Sequence, residues 1–497
     1  MQKRAVLFLI AAALITPLQR DLFVGDETKY GQVVREMRAT GAFFLPTLNG
    51  TPFTHKPPIH FWMIDLLTFP LGVYSTWAFV LPSLIAFVFL IWLMWKIGGP
   101  LPAFICGSSL MIWASAQSAR MDVSFTAFIV LALWQLERFF DRDDFRALLW
   151  SAIALGIAVL IKGPMAPVMA IVLFVLEWMR RKRIPSGNYA PAIAAMIVIP
   201  LLWLVPAMRL GGRAYTHDVI IKQTVGRAVA SWVHNAPPWF YVIHLPASLF
   251  PWFFLAVAAV IALWRTHRFL VNWILAVLIP YSLMSSKLDV YMMAMIPPIA
   301  LLLAEYVTSE RGRAARWLNA LSIALMAVIG IAGLFVSPQM IKNPEGALIQ
   351  LPAVKAFCII TLVAAMIAFV IALRGSPIAS TIAAGVVPII AMVVVAIALM
   401  PAINDIASTR PLVAALEKQH VPPEQVALYA SPYLWTRDMP REYERVMYAT
   451  PYTLAQTTPT VIVTARVHAG EIAPSLYRYQ MVDAVRMIGK WFYVYRR

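Results

Sequence analysis

Thirteen apolar runs joined by short polar turns leave this 497-residue chain few ways to fold. They lie at 4–19, 77–97, 101–117, 122–140, 147–162, 164–179, 190–209, 241–264, 269–284, 290–307, 315–336, 354–373 and 379–400. Several approach the ~20 residues that a helix needs to cross a hydrocarbon core. Backbone in lipid must satisfy its own hydrogen bonds, so each run is read as a helix. With 61% of residues apolar and 13% charged, the expected class is an all-α polytopic membrane protein of about 13 transmembrane helices.

The net charge of +17 would suggest nucleic acid in a soluble protein, but here the cations sit in alternate turns, and no nucleic-acid partner is expected. Lys96 is followed by Arg138, Arg142 and Arg146, by Arg180, Arg181, Lys182 and Arg183, by Arg265 and Arg268, by Arg311, Arg313 and Arg316, and by Arg374. With the N-terminus inside, all of these fall on the cytoplasmic side, as the positive-inside rule asks. The basic start MQKR and the apolar run after it lack a small-x-small cleavage site, which predicts an uncleaved anchor. Residues 59–72, IHFWMIDLLTFPLG, contain Asp65 and Pro70 and are expected to lie at the outer interface. If they spanned, every later basic turn would move outside. From Asn404 the chain becomes polar and rich in Pro and Tyr, with a strand-like PTVIVTA at 459–465. A transmembrane domain over 1–403 and a small α/β C-terminal periplasmic domain over 404–497 follow from the odd span count. Cys106 and Cys358 both lie in apolar runs, so neither a disulfide framework nor a cysteine metal site is expected.

On this topology the outer face collects Asp26, Glu27, Lys29, Tyr30 and Lys56 from the first loop, 20–58. To these it adds Arg120 and Asp122 in SARMD, Lys162 in IKGP, Lys222, Arg227 and His234 in the loop 210–240, and Lys287, Asp289 and Tyr291 in SSKLDVY. Charges at the ends of so many separate spans predict a shared polar cavity. Arg and Lys suit a phosphate, while a carboxylate suits a base or a stabiliser of positive charge on a sugar ring. Plainer roles stand beside these. Asp26 and Glu27 would complement a helix dipole. Arg120 and Asp122 could form a local ion pair, and Lys162 a turn. Lys56 could snorkel, although Pro57 and Pro58 stiffen the backbone after it. His234 could simply pack, since a zinc or similar divalent metal would need further ligands, of which His55 is the nearest.

GDETKY, the REM after it, LNGTPFTHKPP, AVLIKGP, and SKLDVY followed by Pro297 and Pro298 together resemble the bacterial aminoarabinose transferase family, related to protein O-mannosyltransferases. The resemblance covers about residues 20–305 and implies the GT-C fold and an inner-membrane glycosyltransferase with a periplasmic active site. It also implies a polyprenyl-phosphate-linked sugar donor and a lipid acceptor such as lipid A. By motif, Asp26 and Glu27 match the family's acidic pair, Asp122 its second aspartate, and Lys56 the lysine associated with carrier phosphate. Lys287 and Tyr291 match the late segment near the carrier site. The chain departs from the family at His55, where a Glu is common, which puts a Glu/His metal site in doubt while leaving a His55/His234 pair conceivable. A protein O-glycosyltransferase of the same fold and a flippase for lipid-linked sugar are the rival readings. Against the flippase, the polar groups sit at span ends rather than at the midplane.

Overall fold

A computed structural model of the chain describes residues 1–226, 235–335, 352–437 and 439–497. Helices occupy every apolar run. In chain order the first ten are α1 (Gln2–Ile15), α2 (Asp26–Thr40), α3 (Ile59–Leu71), α4 (Thr76–Gly98), α5 (Pro100–Gly107), α6 (Leu110–Ala116), α7 (Asp122–Arg142), α8 (Phe145–Lys162), α9 (Met165–Arg181) and α10 (Ala190–His217). After them come α11 (Phe240–Ser248), α12 (Phe253–Leu263), α13 (Arg268–Leu283), α14 (Ile296–Thr308), α15 (Gly312–Phe335), α16 (Pro352–Arg374) and α17 (Pro377–Val394). Among the described residues, eight helices are long and apolar enough to cross a membrane, or nine if the bent pair α11–α12 is one span.

That number is lower than thirteen because several runs form short or broken helices. The run 101–117 divides into α5 and α6 at Ser108–Ser109, and the run 241–264 bends by 113° between α11 and α12. The two breaks meet, because the Leu110 N–H at the start of α6 donates to the Phe250 carbonyl in the other bend, at 3.1 Å. Each break thus satisfies a backbone group that would otherwise be stranded in apolar surroundings. Helix α3, with 13 residues, is roughly 20 Å long and too short for the ~30 Å core. Its Phe61 and Ile64 are buried while Leu66 and Phe69 face outward.

Local chemistry sets the helix ends. The Asp144 side chain caps α8 by accepting from the N–H groups of Arg146 and Ala147. Gly163 then turns the chain into α9 at a φ of 104°, a conformation that glycine adopts without strain. The basic turns come together at one end of the bundle, where Arg311 donates to the Ala262 carbonyl and Arg316 to the carbonyls of Leu373 and Gly375. At the same end Glu177, fully buried, accepts from Arg180, Arg181 and Asn272. The helices cross from there to the end that bears Asp26, Asp122, Lys162 and Lys287.

Between α2 and α3, Asn49 and Gly50 turn a short hairpin of β1 (Thr47–Leu48) and β2 (Thr51–Pro52). Both turn residues have positive φ, as a two-residue Asn-Gly hairpin requires. The Glu36 carboxylate accepts from the Asn49 and Gly50 N–H groups and the Thr47 hydroxyl, holding the hairpin to α2.

Beyond helix Met400–Ala407 lies a five-stranded sheet with order β4-β3-β5-β7-β6. Its strands are β3 (Val426–Tyr429), β4 (Met447–Tyr448), β5 (Val461–Ala465), β6 (Gln480–Met487) and β7 (Lys490–Arg496). β3 runs parallel to β4 and β5, whereas β7 is antiparallel to β5 and β6. The expected strand at 459–465 is the central β5. Alternation divides its side chains: Val461 and Val463 join one apolar cluster and Ile462 another. The sheet domain rests on the first loop. Arg410 Nε donates to the fully buried Asp21 at 2.5 Å, and the Arg437 N–H donates to the same carboxylate at 3.2 Å. Trp435, also fully buried, sits between Phe79, Tyr74 and α2. A Cβ at Gly31 would come within 2.9 Å of its Cδ1, so α2 meets the indole at a residue without a side chain.

Candidate active site

Helix α2 starts at the acidic pair. Gly25, with φ 121°, turns the chain into it, and Asp26 and Glu27 occupy its first turn, where carboxylates complement the helix dipole. The two then diverge. Glu27 points into the protein, where Oε2 accepts from Arg20 at 2.6 Å and from the Phe23 N–H at 2.8 Å, and Oε1 from the Ala119 N–H at 2.7 Å. It clasps the first loop to the turn before α7. Asp26, whose side chain is 44% exposed, has Lys29 Nζ at 3.7 Å and lines a cavity of about 410 Å³. Arg20, Glu27, Gln117 and Arg120 also line that cavity, with Met392 and Met400 on its apolar side.

A cationic pair gathers around Asp122. Arg120 Nε donates to Oδ2 at 3.0 Å, and Lys162, from the end of α8, donates to Oδ1. The Lys162 ammonium also stands over the Tyr291 ring, 4.7 Å from its centroid, and Tyr291 stacks on Tyr281. Residues at 120–122, 162 and 291, remote in sequence, thus form one cluster. Burial by itself would lower the Arg120 guanidinium, but the Asp122 carboxylate, with Asp26 and Tyr30 nearby, raises it. Lys56 lies close enough to act electrostatically on Asp122 and His60. Tyr30, buried on the inner face of α2, has its hydroxyl pushed well above the ordinary value, first by burial and then by the Asp26 and Asp122 carboxylates. It keeps its proton.

Other expected site residues are placed elsewhere. Lys287 is buried between segments, where Nζ donates to the Ala236 carbonyl at 2.9 Å and to that of Met284. Burial lowers its ammonium below the usual lysine range. It ties the turn after α13 to residues 235–236. His55 is exposed, with its ring 5.2 Å from that of Phe53, and His234 and Arg227 lie outside the described residues. Among the described residues no group of three His, Cys, Asp or Glu side chains is placed to hold a metal.

Two features escape a sequence reading. His60, in the apolar stretch IHFWM, is buried edge-on to Tyr30 with ring centroids 6.0 Å apart. Burial lowers its imidazole to about 4 against the pull of Asp122, so the ring is neutral near pH 7. His244 pairs with Asp289, Nδ1 to Oδ1 at 2.6 Å, and stacks on Phe240. An apolar context hides the first, and a tertiary contact between distant segments makes the second.

The profile of the dolichyl-phosphate-mannose-protein mannosyltransferase family matches residues 55–204. Over 358 residues the chain is 27% identical to an undecaprenyl phosphate-alpha-4-amino-4-deoxy-L-arabinose arabinosyl transferase of Edwardsiella ictaluri, covering 67% of this chain and 64% of that protein. It is 30% identical over 324 residues to the protein of the same name from Pseudomonas aeruginosa PAO1, covering 60% and 58%. The match therefore spans just under two thirds of these relatives' own length. The crystal structure of ArnT from Cupriavidus metallidurans bound to undecaprenyl phosphate superposes with a TM-score of 0.75 over 98% of this chain and 97% of that one, at 17% identity. Sequence and fold together show a multi-pass membrane protein of the GT-C fold that is similar to these aminoarabinose transferases.

Proposed function

We propose that the chain is an inner-membrane glycosyltransferase that moves aminoarabinose or a related sugar from a polyprenyl-phosphate carrier to lipid A or another lipid or glycan acceptor at the periplasmic face. The observation that carries this reading is the cluster of Arg120 and Lys162 on Asp122, beside a cavity with the half-exposed Asp26 at its wall. In the transfer an acceptor oxygen bonds to the anomeric carbon while the bond from that carbon to the carrier phosphate oxygen breaks. Negative charge grows on the departing phosphate, and Arg120 with Lys162 and Lys56 would meet it. Preorganised cations stabilise such charge because they need not reorient as it develops. Asp122 holds two of those cations in place. Asp26 is the group left to face the sugar, as a base toward a hydroxyl or as a counter-charge for the ring; toward an already ionised phosphate acceptor it would only orient. Glu27, Lys29 and Tyr30 shape the start of α2 around it. Tyr291 and Lys287 support the site from behind, the first through Lys162 and the second through the backbone.

A protein hydroxyl as acceptor has the mannosyltransferase profile match over 55–204 in its favour. Mass spectrometry of lipid A, glycoproteins and polyprenyl-phosphate sugars separates the two in cells with the intact protein, without it, and with Asp26→Asn. The expected result is loss of a sugar-sized increment from lipid A, with donor accumulating, in both the deletion and the variant. An unchanged lipid A beside altered glycoproteins reassigns the acceptor. Normal transfer by the Asp26→Asn protein overturns the role given to Asp26.

A further inference from the structure

At the opposite end of the bundle lies a second and larger cavity, of about 710 Å³. Glu137, which lines it, is fifteen residues along α7 from Asp122, or roughly 22 Å at the helical rise, so the cavity is separate from the site described above. Its volume lies within the ~300–1,000 Å³ usual for ligand sites. Charges of both signs line it: Glu137 and Glu305 on one side of the balance, Arg180, Arg265 and Arg268 on the other. Arg180 is engaged by the buried Glu177. Glu137, Glu305, Arg265 and Arg268 make no direct ion pair among the described residues, although all four border one cavity. Space lies where their mutual contacts would be, and groups of both signs could be satisfied by one molecule carrying both.

The residues around the cavity are of the kinds that collect at the level of lipid headgroups. Three cation–tryptophan pairs ring this end, Lys96 with Trp92, Arg138 with Trp134 and Arg265 with Trp264, at 5.9, 5.9 and 5.0 Å. Tryptophan and cationic side chains concentrate at membrane interfaces. Leu101, Leu270 and Leu301 supply an apolar wall. A purely anionic headgroup would leave the two carboxylates without partners, and a quaternary ammonium has no N–H to donate to them.

We propose that this cavity is a lipid site for a headgroup bearing both a phosphate and a primary ammonium, an aminophospholipid, with Arg265 and Arg268 on the phosphate and Glu137 and Glu305 on the ammonium. The test places the full-length protein in nanodiscs of phosphatidylethanolamine with phosphatidylglycerol, or of phosphatidylcholine with phosphatidylglycerol, and counts retained lipids by native mass spectrometry. Retention of the ethanolamine lipid over the choline lipid is expected by about tenfold, the scale of a charge-assisted hydrogen bond. Glu137→Gln with Glu305→Gln should bring that ratio close to one while phosphatidylglycerol is still retained. Arg265→Gln with Arg268→Gln should abolish retention of all three. Thermal unfolding of each variant serves as the folding control, and if the arginine pair does not fold, the selective loss in the glutamate pair decides alone. Equal retention of ethanolamine and choline lipids by the intact protein, or an unchanged ratio in the glutamate pair, overturns the proposal.

Discussion

Replacing Asp122 with Asn keeps the shape of the side chain and removes the charge on which Arg120 and Lys162 converge. The Asp122 side chain is 5% exposed, that of Lys162 9% and that of Arg120 36%. Removing one partner of a buried ion pair costs about 3–5 kcal/mol, because the remaining charge stays out of water. Arg120 is exposed enough for solvent to screen its share, so the cost falls mainly on Lys162. The ring faces of Tyr291 and Phe125 offset about 1 kcal/mol of that, which leaves a loss of roughly 2–4 kcal/mol. Thermal unfolding of the purified protein in micelles reads it directly. Lys162→Met in the Asp122→Asn background removes the stranded cation and should restore most of the stability, giving a coupling of about 2 kcal/mol between the positions. Losses that simply add in the double variant would refute the buried pair, and an unchanged unfolding temperature in Asp122→Asn would refute the role of Asp122 as the anchor of the cluster.

The other expectations use the same protein. His60 has its value lowered to about 4, below the ~6.5 of an unfolded histidine, so its contribution is complete above pH 6.5 and is lost as the pH falls toward 4. The change amounts to roughly 3 kcal/mol, and His60→Leu should flatten the stability profile between pH 6.5 and 4; an identical profile would refute it. Lys287→Met should cost about 1–3 kcal/mol by stranding the carbonyls of Ala236 and Met284. Donor affinity should stay the same, and a large rise in KM for the donor would show instead that Lys287 meets the carrier. Trp435→Ala should cost about 3–5 kcal/mol and loosen the sheet domain from α2, so that limited proteolysis cuts between the two before the bundle unfolds; an unchanged cleavage pattern would argue that the Asp21–Arg410 contact suffices.

Much of this was readable along the chain because it depends on local pattern. Apolar runs and basic turns gave the helices and the end at which the cations collect, and Arg311, Arg316 and the cavity of Glu137 do share that end. PTVIVTA announced a strand, the central β5. Helix breaks were less legible: Ser108–Ser109 and the bend before Phe253 lie in runs whose hydropathy looks continuous, and they are stabilised by a hydrogen bond between segments some 140 residues apart in sequence.

Composition and spacing determined that the chain is a helical membrane protein and which charged residues gather at the span ends opposite the basic turns, because lipid imposes both conditions residue by residue. Roles within the acidic and basic set were decided only by packing. Adjacent residues of a helix point in different directions, so Asp26 faces a cavity while Glu27 is consumed by three internal hydrogen bonds. Lys162 and Lys287 look alike in sequence, each a lysine at a span end. One is paired with a buried carboxylate and the other with two backbone carbonyls, a difference set by which distant segment reaches each ammonium.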